Sequence, residues 1–113
     1  MAHYAVLCTI DQTKLDLFAR LRAEHYAFLI AQQQRIFLGG PARTSEGGPP
    51  QVMIIIVEAS ALNDAEAFIA AEPYNRNGGF SEVSVRPWSQ VLPEMTAGDL
   101  ARTHDAEVQK AGS

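Results

Sequence analysis

The residue with the clearest chemical potential in this chain is a histidine near the middle of a helical pattern. On a 3.6-residue repeat, one apolar stripe is formed by Phe18, Leu21, His25 and Leu29, with Arg22 at its edge. An imidazole on such a stripe is either held by a hydrogen bond as part of a core or interface, or kept for acid–base chemistry near neutral pH. The helix alone leaves both interpretations open.

Strand and helix patterns alternate along the chain. They predict strands at residues 3–10, 35–38, 52–57 and 82–88, and helices at residues 13–34 and from residue 60 or 63 to residue 70. This order, βαββαβ, is the ferredoxin-like arrangement, an α+β fold with a four-stranded antiparallel sheet.

Short polar and breaker residues set the expected ends of these elements. Thr13 is expected to cap the first helix, with Asp16 placed for a capping box. Gly39-Gly40-Pro41 is expected to end the second strand and to open a loop through residue 50. Pro73 breaks the second helical pattern, and a turn-rich connection is expected at residues 74–79.

The apolar residues of the third strand predict that a second copy of the chain covers one face of the sheet. Residues 52–57 read Val-Met-Ile-Ile-Ile-Val, which is apolar on both faces, yet both helices of a βαββαβ fold cover the same face. Because soluble monomers rarely expose such a patch, we expect a homodimer of the dimeric α+β barrel type. The alternative is that the C-terminal segment covers this face within one chain. We expect a domain at residues 1–93 and a tail at 94–113, which forms a short helix or arm or is partly disordered.

Composition excludes several classes of function. A net charge of −4 and the lack of a Lys/Arg cluster argue against a nucleic-acid partner, and no apolar run approaches the ~20 residues of a membrane span. Cys8, the single cysteine, cannot form an intrachain disulfide, and the N-terminus lacks the basic start of a secretory signal, so we expect a cytoplasmic protein. The three histidines lack metal-ligand spacing. The glycine-rich stretches lack the strand-to-helix context of a phosphate loop.

Several short blocks together resemble the YCII-related family. They are Arg22-x-x-His25-x-x-Phe28-Leu29, Gly39-Gly40-Pro41, Glu72-Pro73-Tyr74, Gly78-Gly79-Phe80 and Val83-x-Val85-x-Pro87-Trp88. Their order and spacing match the family from near residue 3 to about residue 92, and the tail lies outside the resemblance.

The resemblance implies a ferredoxin-like dimer with a cleft between the first helix and the segment after the second. In this family a histidine of the first helix faces the aspartate of an Asp-Pro motif, a pair proposed as an active site. His25 matches the histidine. Glu72 stands in place of the aspartate and is one methylene longer. In such a pair the carboxylate fixes the imidazole tautomer and favours its protonated form, while the free nitrogen moves a proton on the substrate.

The reaction implied by the resemblance is elimination or isomerisation of a small cyclic or aromatic acid, without metal or organic cofactor. Related members include an enzyme that removes chloride from a chlorinated hydroxyquinol, and similar folds include a lactone isomerase. Two other functions stay open: a non-catalytic ligand-binding or accessory dimer with the same pocket, and a cofactor-independent monooxygenase. A catalytic pair requires His25 and Glu72 within about 3 Å, or bridged by one water, beside an accessible cavity.

Three further residues are candidates for binding substrate, and each also has a structural interpretation. Arg22 can bind a substrate carboxylate through its planar fork, or it can pair with Glu72 or Asp11. Asp11 can border the cleft, or it can simply end the first strand and assist the helix start. Tyr74 can donate a hydrogen bond to a ligand, or its ring can pack over the helix end.

Overall fold

Four strands form one antiparallel sheet in the computed structural model, which describes residues 1–112. The strands are β1 (Ala2–Ile10), β2 (Ile36–Arg43), β3 (Pro50–Ala59) and β4 (Phe80–Trp88), in the spatial order β2-β3-β1-β4. All three pairings are antiparallel. The predicted α+β, ferredoxin-like fold is therefore confirmed.

Four helices accompany the sheet. They are α1 (Leu15–Gln32), α2 (Leu62–Ala70), the single turn α3 (Pro73–Arg76) and α4 (Asp99–Ala111), and short 3₁₀ turns precede and follow α1. None of the helices described combines the length and hydropathy needed to span a bilayer.

The start of the first helical segment differs from the prediction. Asp11, rather than Thr13, provides the cap: its Oδ1 accepts hydrogen bonds from the Thr13 backbone N at 3.0 Å and from the Thr13 hydroxyl at 2.6 Å. A 3₁₀ turn at Gln12–Lys14 follows directly, so α1 itself begins two residues after Thr13 and has no side-chain cap. Aspartate is an equally good cap, and the capping pattern was placed two residues too late.

The prediction that Gly39-Gly40-Pro41 ends the second strand was wrong. β2 continues through these residues to Arg43, which leaves a loop of only residues 44–49. β2 is an edge strand paired with β3 alone. In an edge strand, a proline whose nitrogen points away from the sheet removes no hydrogen bond to the neighbouring strand. β2 can therefore continue through Pro41. The extension makes the end of this strand part of a cavity wall.

The core lies between one face of the sheet and the helices. It contains Tyr4, Val6 and Cys8 from β1, Met53, Ile55, Val57 and Ala59 from β3, and Ala65, Phe68 and Ile69 from α2. Alternation along β1 and β3 sends the neighbouring side chains to the opposite face, which no helix covers. We call this the open face and define it by Leu7, Phe37, Leu38, Ile54 and Ile56. Its rim holds His3, whose ring contacts those of Phe37 and Trp88.

The C-terminal tail forms a helix that leaves the open face uncovered. Leu7, Phe37 and Leu38 stay well exposed, and the apolar residues of α4, Leu100 and Val108, are exposed too. The molecule is elongated, 57 Å along its longest axis. Within the tail, α4 occupies Asp99–Ala111, and a role for it as an arm against a second subunit stays a prediction. The domain boundary at residue 93 stays a prediction.

Candidate active site

His25 is one of only two buried residues on α1, the other being Phe18. Its Nδ1 lies 2.6 Å from Oε1 of Glu72, a contact across 47 residues of sequence. Glu72 is completely buried, and among residues 1–112 it is the largest side chain with no exposed surface. The structure therefore brings together the two residues whose pairing the sequence analysis required, in a water-poor environment where a charge-assisted hydrogen bond is strong.

The Glu72-Pro73 dipeptide fixes where this carboxylate points. A residue before proline is held in extended backbone, and Glu72 has φ −67° and ψ 132°. Pro73 then occupies the first position of α3, where its missing N–H is not needed. This combination is the geometry of a helix N-cap, and Oε2 of Glu72 accepts a hydrogen bond from the Asn75 backbone N at 3.0 Å.

The two oxygens of Glu72 thus have separate partners. Oε1 contacts His25, while Oε2 caps α3 and is held by Asn75. The side chain of Asn75 also donates to the carbonyl of Ile69 at 2.9 Å, which ties α3 to the end of α2. The carboxylate is therefore oriented by backbone on one side and binds the imidazole with the other. The longer side chain still reaches His25 from the cap position.

Tyr74, the next residue of α3, packs flat on the His25 ring. The ring centroids are 4.2 Å apart and the planes differ by 19°. Burial raises the pKa of the Tyr74 hydroxyl above its ordinary value, an effect that the nearby positive charge of Arg22 opposes and the negative charge of Glu72 reinforces. Tyr74 is consequently a neutral phenol at physiological pH, beside the guanidinium of Arg22. Its ring packs as one interpretation expected, while a hydrogen bond from it to a ligand stays a prediction.

Two glycines let the segment after α3 lie close to α1. Gly78 has φ +75°, which glycine adopts without strain, and it ends the turn. A Cβ on Gly79 would stand 2.8 Å from Cζ of Phe18, so any side chain there would require the buried ring of Phe18 to shift. Phe18 in turn contacts the ring of Tyr74 at 4.5 Å between centroids. This close approach holds α1 and α3, and with them His25 and Glu72, in register.

Cys8 lies beneath this pair in the core. Burial, together with the negative charge of Glu72, raises the pKa of the Cys8 thiol to about 12. The sulfur is therefore a neutral thiol at physiological pH and takes no part as a nucleophile. The buried, inert role predicted for Cys8 agrees with this environment.

A cavity of about 980 Å³ opens between α1 and the β2–β3 side of the sheet. The polar side chains in its wall include Arg22, His25, Tyr26, Arg43 and Tyr74, and apolar ones include Leu29, Ile36, Met53, Ile55 and Phe80. Nδ1 of His25 faces Glu72, so the nitrogen left for the cavity is Nε2. Glu72 is absent from the cavity wall and contacts it through His25.

Asp11, the remaining candidate, does not line this cavity. Its carboxylate is engaged as the cap described above, and the hydrogen bonds from the Thr13 side chain and backbone lower the pKa of Asp11 below its ordinary value. Its backbone N donates to the carbonyl of Gly79 at 2.9 Å, next to the glycine that contacts α1. Asp11 therefore supports the arrangement of strand and helix ends that surrounds the site.

The cavity also contains a residue that the sequence analysis did not single out. Arg43 lies in the wall because β2 extends through Pro41, whereas the sequence placed this position in a loop. No aspartate or glutamate belongs to the described cavity wall, although the chain as a whole has a net charge of −4. Within residues 1–112, no three His, Cys, Asp or Glu side chains form a group that could hold a metal ion.

The sequence profile of the YCII-related domain matches residues 2–89. The chain belongs to the YCII-related family. The match ends one residue after β4, so α4 lies beyond the family domain. The resemblance read from the short sequence blocks is thereby confirmed. Among curated proteins, no significant match was found.

Solved structures give the same fold for this YCII-related chain. It is similar to the 5-chloro-2-hydroxyhydroquinone dehydrochlorinase TftG of Burkholderia phenoliruptrix AC1100, solved in complex with 2,5-dihydroxybenzoquinone, with 21% identity and a TM-score of 0.72 over 78% of this chain and 94% of that one. Protein Atu4242 of Agrobacterium tumefaciens is 9% identical, with a TM-score of 0.51 over 84% of this chain and all of that one. At these identities the likeness establishes the fold.

Proposed function

We propose that this protein is a cofactor-free enzyme that uses His25 and Glu72 as an acid–base pair on a small cyclic or aromatic acid. The observation that carries the proposal is the 2.6 Å contact between a fully buried carboxylate and an imidazole in the wall of a cavity. A structural histidine needs only a hydrogen-bond partner. Here the partner carboxylate is itself oriented as a helix cap, and the second imidazole nitrogen lies toward a cavity. His25 therefore also meets the requirements of a general base.

Each member of the pair has a distinct role. Glu72 accepts a hydrogen bond from the Nδ1–H of His25, which leaves Nε2 as the basic nitrogen toward the substrate. Its negative charge also stabilises the imidazolium that forms when Nε2 takes a proton. Tyr74 holds the ring flat from one side and presents a neutral hydroxyl near Arg22. Arg22 binds the acidic group of the substrate. General acid–base catalysis of this kind contributes about 10²–10⁴-fold to a rate.

The reaction type follows from the family and from the named activity of TftG. A dehydrochlorinase removes a proton and a chloride from one molecule, and loss of HCl from a chlorinated trihydroxybenzene gives a hydroxyquinone without an external oxidant. One well-placed base is sufficient to remove the proton. Elimination or the related isomerisation therefore fits this site, and 5-chloro-2-hydroxyhydroquinone is the first compound to assay. A ligand-binding role without turnover is the alternative outcome of that assay.

A homodimer in the cytoplasm is part of the proposal. In the single chain, Leu7, Phe37 and Leu38 expose apolar surface on the open face, and a second copy packed on it would form the barrel-like dimer expected from the sequence.

Two neighbouring isoleucines test the dimer. Ile54 lies on the open face and Ile55 is buried toward the helices. We expect Ile54→Asp to give a folded monomer, since its charge would fall between the two copies. Ile55→Asp should unfold the chain, because burying an unpaired carboxylate costs more than about 3 kcal/mol. Light scattering after gel filtration, with circular dichroism, measures both. Dimeric Ile54→Asp protein would contradict the interface.

The acid–base pair is tested by nitrogen NMR of protein labelled with ¹⁵N-histidine. We expect the His25 proton on Nδ1 to resonate far downfield and to exchange slowly, and we expect Glu72→Gln to weaken this signal because the neutral amide is a poorer acceptor. Addition of 2,5-dihydroxybenzoquinone should then shift Nε2 of His25 more than Nδ1. His3 and His104, which lie outside the cavity, serve as controls in the same spectrum. If the Nε2 signal of His25 does not shift when the ligand is added, the proposed role of His25 as the base is contradicted.

A further inference from the structure

The cavity wall has a charge pattern that selects its ligand. Arg22 and Arg43 contribute two positive charges, and no carboxylate of the described wall balances them. Within residues 1–112, neither arginine forms an ion pair with an aspartate or glutamate, whereas Arg35 is paired with Asp64 at 3.0 Å. Two unpaired guanidinium groups facing a largely apolar cavity favour an anionic ligand.

The two arginines enter the cavity from different elements. Arg43 is the last residue of β2 and pairs in the sheet with Pro50 at the start of β3. α1 runs back along the sheet from the end of β1, so its first residue, Leu15, belongs to the same end of the cavity. His25 lies ten residues further, about 15 Å along the helix axis.

Arg22 lies between these two positions. It is one turn, about 4.5 Å, before His25 on α1, and helical side chains incline toward the N-terminal end of their helix. Arg22 therefore extends from the neighbourhood of His25 and Tyr74 toward the end that holds Arg43. An acidic group placed between the two guanidiniums leaves the space beside His25 for the remainder of the ligand.

The residues around this space suit a flat apolar ring. Met53 and Ile55 of β3, with Leu29 of α1 on the other side, present aliphatic surface to the cavity. The strand opposite contributes Gly39, where a Cβ would stand 3.2 Å from the carbonyl oxygen of Ile54, so this part of the wall is bare backbone. A single ring fits between these surfaces, while the planar fork of arginine matches a carboxylate.

We propose that the ligand is a single-ring carboxylic acid whose carboxylate lies between Arg22 and Arg43 and whose reacting atom faces His25. Arg43 is thereby a specificity residue that favours a ring bearing a carboxylate over the same ring bearing a neutral amide. The orientation toward His25 rests on the proposed function, whereas the preference for an acid rests on the two arginines alone.

The test compares 2,5-dihydroxybenzoate with its neutral analogue, 2,5-dihydroxybenzamide, by isothermal titration calorimetry on the full chain. We expect the acid to bind at least about tenfold more tightly to the wild type, since a charge-assisted hydrogen bond is worth about 1.5–3 kcal/mol. Arg43→Gln should reduce this preference to less than about threefold and leave affinity for the amide unchanged. Arg20→Gln, a charge removal on α1 outside the cavity wall, should keep the full preference.

A conservative variant separates charge from loop structure. Arg43 donates through one guanidinium nitrogen to the carbonyl of Gly48 at 3.0 Å, so Arg43→Gln also loosens the β2–β3 loop. Arg43→Lys retains the charge and should retain most of the acid preference. Equal binding of acid and amide by the wild type, no binding of the acid, or an unchanged preference in Arg43→Gln would each overturn the proposal. If the protein keeps its preference for the acid but the NMR signal of His25 does not shift when ligand is added, only the proposed acid–base pair is overturned.

Discussion

Replacing Glu72 with alanine should lower the free energy of unfolding by about 3–5 kcal/mol, the usual cost of removing one partner from a buried charged pair. The change strips His25 of its only observed partner at Nδ1 and leaves the Asn75 backbone N–H without its cap. Glu72→Gln should cost less, because the amide oxygen can still accept one of the two hydrogen bonds. Urea denaturation followed by circular dichroism measures both variants.

Two further variants make this result specific. Glu24→Ala removes an exposed carboxylate from the same helix that holds His25, and it should change stability by no more than about 0.5 kcal/mol. Glu72→Asp restores the residue that the family usually carries. Aspartate caps helices well, so it should keep the bond to Asn75 while its shorter side chain weakens the contact with His25. If the free energy of unfolding of Glu72→Ala lies within about 1 kcal/mol of the wild-type value, the buried pair does not stabilise the fold as expected.

Under the proposed elimination, replacing His25 with asparagine should reduce any chloride release from 5-chloro-2-hydroxyhydroquinone by about 10²–10⁴-fold, the range of a lost general base. The amide nitrogen of asparagine can occupy the place of Nδ1 and still donate to Glu72, so the fold should persist. What disappears is Nε2, the nitrogen that faces the cavity. His25→Ala should abolish turnover as well, at a greater cost in stability, because it leaves a buried carboxylate unpaired.

The matched control for this experiment is His104→Ala on α4. That histidine is exposed, lies outside the cavity, and contacts only Asp105 next to it. Its replacement should leave the rate of chloride release unchanged. A folded His25→Asn protein that releases chloride at the wild-type rate would remove His25 from the mechanism. A wild-type protein that binds the compound without releasing chloride would favour the ligand-binding alternative.

The sequence determined the fold because its signals are local and periodic. The apolar run of strand-forming residues in β1, the alternation in β4, the unbroken β-branched run in β3 and the 3.6-residue repeat of α1 each depend on a few neighbouring residues. Their order is compatible with few topologies. His25 and Glu72 could be named as partners only because short blocks resembled a known family. Nothing within either segment indicates that two residues 47 positions apart in sequence are in contact.

The ends of the strands and helices, and the set of residues that forms the cavity wall, depended on tertiary structure. Gly39-Gly40-Pro41 predicts a turn by local preference, yet β2 is an edge strand whose one-sided pairing tolerates proline, so the strand continues and brings Arg43 into the cavity. Likewise, Asp11 looks like a residue at the edge of a cleft, but the 3₁₀ turn after β1 uses its carboxylate as a cap. The sequence by itself determined the elements, their order and the chemistry available to them. Tertiary packing decided which side chains line the same cavity, because those contacts exist only once the sheet and the helices are assembled.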